Sequence, residues 1–412
     1  MWAASPDPPM SQHEGNIGED RQREIFVNGA AGVEPDVPIS FEALEEAALA
    51  VMDDAAADYV AGGAGGENTV GRNRRAFDRW RIVPRFFRDV DDRDLSVEVC
   101  GQDLPVPVML APIGIQSIAH EDAELATAAG AREAGVPTIL SSVSSETLED
   151  VAEELGETPK WFQLYWSSER SIAESFVERA EDAGFDAIVV TVDTPVPGWK
   201  ERDLQKGYVP QLDGEGVANY FTDSAFRELL DQPPADNEFG AIQTFLDVFG
   251  DPTLTWDDLD WLRDQTDLPI VVKGLLHPHD ARQAVDHGAD GVIVSNHGGR
   301  QVDGALAALE ALPAIAAELD DTDASVLFDS GIRRGAEALT ALALGADAVC
   351  LGRPYIYGLA IDGANGVEAV CENFLADLDL TMGLTGRTAV SEIDRSLVVD
   401  ERRLYREPET LR

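Results

Sequence analysis

A chain of 412 residues, 44% of them apolar, suits two average domains or one large barrel and is too apolar to be disordered throughout. Acidic side chains outnumber basic ones by 77 to 31, a net charge of −46, which makes nucleic acid and anionic membranes poor partners. Such a surface stays hydrated at high ionic strength, and the three cysteines (100, 350, 371), none in CxxC spacing, read as free thiols; the expected setting is a salty, reducing cytoplasm.

Residues 1–36 are polar and acidic, lack the basic and apolar regions of a signal peptide, and read as a flexible leader. No apolar run approaches the roughly 20 residues of a bilayer span. Over 37–100 a helical segment is expected to pack on the main domain; the spacing predicts a helix over 40–59, with Ser40 as its cap. The glycine-rich run 61–66 has neither a preceding strand nor the GK[ST] ending of a phosphate loop, and reads as a turn beside a site.

From 101 to 394 short apolar runs alternate with amphipathic stretches. The predicted strands are 106–111, 138–141, 161–164, 187–192, 270–273, 291–295, 326–329 and 348–351. Gly184, Gly288 and Gly345 each open a Gly-x-Asp-small turn just before such a run, an internal echo of helix-to-strand connections. Eight alternations predict an α/β fold, a closed (β/α)8 TIM barrel, with a doubly wound sheet as the alternative. About seventy residues, 197–268, separate the fourth and fifth strands and carry Trp199, Tyr208, Tyr220 and Phe221, so a lid insertion is expected on the catalytic face. Residues 395–412 are left as a tail.

Strand ends hold the informative side chains. Ser295-Asn296-His297-Gly298-Gly299-Arg300-Gln301 follows the sixth strand, pairing an imidazole that titrates near neutrality with a guanidinium able to grip a carboxylate. Lys273, one of only four lysines, ends the fifth strand, where a buried ammonium needs an anionic or electron-rich partner; a structural ion pair is the alternative. Asp329 to Arg333 after the seventh strand and Gly352-Arg353 after the eighth supply amides and arginines for a phosphate, with Asp329 either a helix cap or a hydroxyl ligand. Asp193, ending the fourth strand, is placed to orient an imidazole or to cap a turn. His120 reads as a helix cap, and His277, His279 and His287 lack metal-ligand spacing.

Taken in order, these motifs resemble the FMN-dependent α-hydroxy acid-oxidising family from about residue 41 to 394. Tyr59-Val60-Ala61-Gly62-Gly63, Leu110-Ala111-Pro112-Ile113-Gly114, Phe162-Gln163-Leu164-Tyr165, Thr191-Val192-Asp193 and Asp329-Ser330-Gly331-Ile332-Arg333 carry the likeness beside 295–301. The resemblance implies FMN as cofactor, a small 2-hydroxy acid and O2 (or another acceptor) as reactants, and a homo-oligomer of four or more subunits. It implies His297 as base with Asp193 as its partner, Arg300 and Tyr59 on the substrate carboxylate, and Tyr165 on the reacting oxygen. It also implies Lys273 near flavin N1. Backbone from Ala111 through Pro112 and Ile113 to Gly114, with Ser141, Gln163, Thr191 and Ser295, would line the ring. Gly331, Arg333, Gly352 and Arg353 would hold the phosphate, beside Asp329. Two positions refine it. Gly114 stands where simple oxidases carry alanine and lactate 2-monooxygenases glycine, so a monooxygenase giving acetate, CO2 and water is expected. Lys200 stands where the family pattern has an arginine, which loosens that carboxylate contact unless Arg202 substitutes. An H2O2-producing oxidase, a dehydrogenase using a quinone or protein acceptor, a flavin binder without turnover and a flavin-free sugar-phosphate isomerase or lyase are the alternatives.

Overall fold

The computed structural model describes residues 16–406. Eight parallel strands close into a barrel in chain order: β1 (Val108–Leu110), β2 (Thr138–Ser141), β3 (Lys160–Leu164), β4 (Ala187–Thr191), β5 (Ile270–Leu275), β6 (Gly291–Val294), β7 (Ser325–Phe328) and β8 (Ala348–Leu351). All eight predicted strands are present, and closure of β8 onto β1 excludes the open sheet.

Their near-continuous apolar runs follow from burial on both faces. Met109, Ile139, Trp161, Val189, Val271, Ile293, Leu327 and Cys350 fill the interior, while Leu110, Phe162, Ile188, Val272, Val292 and Phe328 pack outward against helices. A hairpin, Val97–Val99 with Gln102–Leu104, plugs the N-terminal end, where Trp161 Nε1 donates to Gln102 Oε1 at 2.9 Å. The opposite end is left to function.

The leader and the tail differ from expectation. Ile17–Ala30 is a helix seated on the long C-terminal helix Arg353–Leu384: Gly18 N donates to Asp379 Oδ2 at 2.9 Å, and Arg93 bridges Asp379 and Glu19. A helix with few apolar residues is thus docked by a buried charge network. The rest of the leader, 1–15, lies outside the described residues. Val398–Asp400 pairs antiparallel with Trp80–Ile82, and Arg79 grips Asp400 at 2.6 Å, so this part of the tail is tied into the fold.

Residues 197–268 are two regions in one. Glu201–Lys206 and the turns to Gly216 lie by the barrel mouth, whereas Ala218–Thr222, Ser224–Glu228, Glu238–Val248 and Trp256–Arg263 build an outer layer. There Tyr220 is fully buried, edge-on to Phe176 (4.9 Å) and Phe245 (4.8 Å). Asn219 ties this layer to the barrel: its Oδ1 accepts from Leu148 N at 2.8 Å and its Nδ2 donates to Ser144 Oγ at 2.9 Å.

Candidate active site

At the C-terminal ends of the strands lies a cavity that opens to solvent. His297 leaves β6 with φ +57, followed by Gly298 (φ +63) and Gly299 (φ +82). Three successive left-handed residues turn the chain sharply; for His297 that conformation is strained and persists because its surroundings fix it. Ser295 Oγ accepts from His297 N at 3.0 Å and Ser330 Oγ from Gly298 N at 3.0 Å.

His297 Nδ1 lies 2.9 Å from Asp193 Oδ1. With a carboxylate there, Nδ1 carries the proton and Nε2 is left as an acceptor toward the cavity. Burial pulls His297 below the ordinary histidine range; Asp193 opposes that, and Lys273 and Arg300 add to it. The imidazole is therefore neutral at neutral pH and competent to take a proton. Burial disfavours the Asp193 carboxylate, but His297 and Lys273 outweigh it and keep Asp193 ionised.

Asp193 reaches this place through a bulge. The β5–β6 register shifts between Lys273 and Leu275, and Gly274 has φ +115; a β-carbon there would meet Asp193 Cβ and Cγ at 2.7 Å. One glycine thus re-aims Lys273 and admits the carboxylate. Lys273 Nζ is 3.3 Å from Asp329 Oδ2 and donates to Ser295 Oγ at 3.3 Å. Burial penalises the ammonium, yet Asp329 and Asp193 hold it above the usual lysine range. The ion pair of the structural reading is present, and it lies on the cavity wall.

Arg300 turns back under Tyr59: its guanidinium is 4.8 Å from the ring centroid and donates to Gly62 O at 3.1 Å. The glycine-rich turn is therefore beside the site, as expected, its Gly62 carbonyl also accepting from Arg353 Nη2 at 2.7 Å. Lys200 Nζ is 5.8 Å from the same Tyr59 ring; burial and Arg300 lower its pKa to about 8, against the pull of Asp203. Arg202 is engaged elsewhere, with Glu67 at 2.6 Å and Asp58 at 3.4 Å, so it does not replace the missing arginine.

Tyr59, the loop from Ala111 to Gly114, Tyr165, Lys273, His297, Arg300, Asp329, Gly331, Arg333, Gly352 and Arg353 all line the cavity. Asp193 and Ser295 stand behind it on His297 and Lys273. Ser141 Oγ donates to Gln163 Oε1 at 2.8 Å, while Gln163 Nε2 and Thr191 Oγ1 are buried with no partner among the described residues. Sequence reasoning missed Val143, Ile115, Gln116, Cys350 and Ser330, which also line it. Ser330 had a signal, its place inside the quoted 329–333 motif; Val143 had none.

Residues 48–400 match the FMN-dependent dehydrogenase family. The chain belongs to this family. It is 44% identical over 353 residues to an L-lactate oxidase of Lysinibacillus sphaericus (strain C3-41), covering 86% of this chain and 90% of that one. It is 40% identical over 357 residues to 2-hydroxyacid oxidase 1 of Mus musculus, covering 86% and 94%. The crystal structure of mandelate oxidase superposes with a TM-score of 0.77 at 38% identity, over 87% of this chain and 97% of that one.

FMN is the cofactor of this family member, and the cavity fits it. Arg333 Nε is buried without a partner among the described residues, and burial together with Arg353 and Arg74 pushes Arg333 down to about 9. Crowded guanidiniums are what a phosphate dianion relieves. Gln163 Nε2 and Thr191 Oγ1, likewise buried without a partner among the described residues, leave a donor and a hydroxyl open to a ligand.

Proposed function

We propose that this family member oxidises a small L-2-hydroxy acid, lactate first among them, and passes the electrons to O2, releasing the 2-oxo acid and hydrogen peroxide. The observation that carries the reading is the buried His297–Asp193 pair, opening on a cavity that also holds Arg300 and Lys273.

FMN, when bound, accepts two electrons from the substrate carbon and delivers them to oxygen. Everything else falls to the chain. Arg300 and Tyr59, with Lys200 at longer range, would hold the carboxylate. His297 Nε2 would take the hydroxyl proton, and ionised Asp193 would stabilise the resulting imidazolium. Tyr165, kept neutral by burial, would hydrogen-bond the reacting oxygen. Lys273 would offset negative charge beside the ring, and Arg333 and Arg353 would anchor the phosphate.

The monooxygenase outcome rested on spare room left by Gly114. A β-carbon on that glycine would lie 2.4 Å from the Val143 carbonyl oxygen and 2.7 Å from its Cγ2. The missing methyl faces a neighbouring loop, which weighs against a vacancy for retained product and favours the oxidase. As for its setting, the charge of −46 supports work at high ionic strength.

The test is anaerobic mixing of FMN-loaded protein with L-lactate, then admission of air. Bleaching followed by pyruvate and peroxide is expected. Acetate and CO2 would restore the monooxygenase reading, and a flavin that stays yellow with a panel of 2-hydroxy acids would overturn the proposal.

A further inference from the structure

The helix Ala123–Glu133 carries a carboxylate that the chemistry above does not use. Glu124 is 1% exposed, and among the described residues no cation lies within ion-pair distance of it. A buried charge without a counter-ion is unfavourable unless its oxygens are well satisfied. Here they are divided between two barrel loops. Oε1 accepts from Gln116 N at 3.1 Å, in the loop after β1; Oε2 accepts from Ser145 N at 3.0 Å, in the loop after β2.

Those loops meet at the cavity wall, where Ile115 N donates to Val143 O at 2.9 Å and Gly114 abuts Val143. Ile115 has φ +61, a strained conformation for a β-branched residue. The same helix braces that loop again: Thr127 Oγ1 donates to Gln116 Oε1 at 2.6 Å, and Gln116 Nε2 donates to Ile113 O at 2.9 Å. A glutamine at 124 has one acceptor oxygen for two amide donors, so only an acid satisfies both loops.

We propose that Glu124 is a positioning residue: its carboxylate clamps the β1 loop to the β2 loop and so fixes the Gly114–Val143 wall against which FMN and substrate sit. The inference rests on the oxidase reading of this site but is read out first without turnover. Burial raises Glu124 to about 7, with the Gln116 and Ser145 amides opposing and Glu146 adding to the rise, so the clamp is also near its limit at neutral pH.

The experiment is flavin-fluorescence titration of the apoprotein with FMN, with visible spectra of the complexes, for wild type, Glu124→Gln and the neighbouring charge control Glu146→Gln. Glu124→Gln should bind FMN about tenfold more weakly with an altered visible band, as loss of a charged hydrogen bond predicts. Its anaerobic reduction by lactate should slow about tenfold at saturation while the lactate dissociation constant moves less than twofold, because Arg300 and Tyr59 are untouched. Glu146→Gln should match wild type. Should the glutamine variant not fold, Glu124→Asp, which keeps the charge but cannot span both amides, is measured in its place with the same expectation. A folded variant matching wild type in FMN affinity, spectrum and reduction rate would overturn the clamp. If lactate fails to bleach even wild type while Glu124→Gln still loosens FMN, the oxidase reading fails and the clamp stands.

Discussion

The outer surface and the cavity of this protein follow opposite charge rules. Outside, carboxylates dominate a chain of net charge −46. Inside, Arg300, Arg333, Arg353 and Lys273 converge beside Asp329, with Asp193 behind His297 and Lys200 and Asp203 close by. The four lysines make the sorting plain: Lys160 is buried on Gly156 O, Lys206 is paired with Asp58, and Lys200 and Lys273 are at the site. The lysines have been kept where a fixed partner or an anionic ligand requires them, and the exposed cations are arginines such as Arg23, Arg132 and Arg334.

If that sorting is functional, substitutions inside the cavity should far outweigh any outside it. The largest effect is expected from His297→Gln. It removes the proton acceptor but leaves the phosphate anchors, so flavin reduction by lactate should fall about 10²–10⁴-fold with FMN affinity nearly unchanged, as stopped-flow absorbance and fluorescence titration would measure. Loss of FMN binding alongside would mean that His297 has a structural role instead. Next, Arg333→Met should weaken FMN by roughly ten- to hundredfold, since it removes a guanidinium whose buried Nε has no partner among the described residues. Equal affinity in the variant would place the phosphate elsewhere.

Much of the cavity's chemistry was legible because strand ends in a barrel face one way, so eight apolar runs also located eight candidate side-chain positions. The pairing of His297 with Asp193, about a hundred residues apart in sequence, was implied by the family resemblance; their places after β4 and β6 alone left a turn cap open for Asp193. Glu124 was not legible. Nothing in the local sequence marks it out, and only packing of the C-terminal helix and two loops around it makes it dry. The helix 17–30 escaped for a related reason: its docking depends on Arg93 and Asp379, 286 residues apart, and on no local pattern. Tyr220 looked like a lid aromatic, yet it is core, because burial in an outer layer is decided by what covers it. Gly114 was read as space beside a ligand, where the backbone direction gives contact with Val143.

A smaller effect sharpens the boundary between the two regions. Lys200, lowered to about 8 by burial and by Arg300, is charged below that pH and neutral above it. Its attraction for a carboxylate is present at pH 7 and lost by pH 9, so KM for lactate should rise about three- to tenfold over that interval. In Lys200→Arg the guanidinium keeps its charge throughout, and that rise should flatten. An identical rise in both proteins would assign the titration to another group and leave Lys200 outside the substrate's reach.

The smallest expected effect compares the regions directly, through salt. Repulsion among surface carboxylates acts across water and is screened within about 10 Å at 0.1 M salt and about 3 Å at 1 M. Exposed pairs such as Arg132–Glu154 and Arg334–Glu42 are weakened by the same screening, but each contributes little. With 46 uncompensated negative charges the repulsive part dominates, so the melting temperature should rise by a few degrees from low salt to molar KCl. The cavity should respond differently. Arg300 is stacked under Tyr59 and bonded to backbone carbonyls, so its charge is shielded from counter-ions, and the lactate dissociation constant should change little over the same range. A melting temperature that falls with salt would show that local ion pairs, and not net repulsion, govern the shell. A dissociation constant that climbs steeply would show that the substrate carboxylate is held in open water by the lid cations instead of at Arg300.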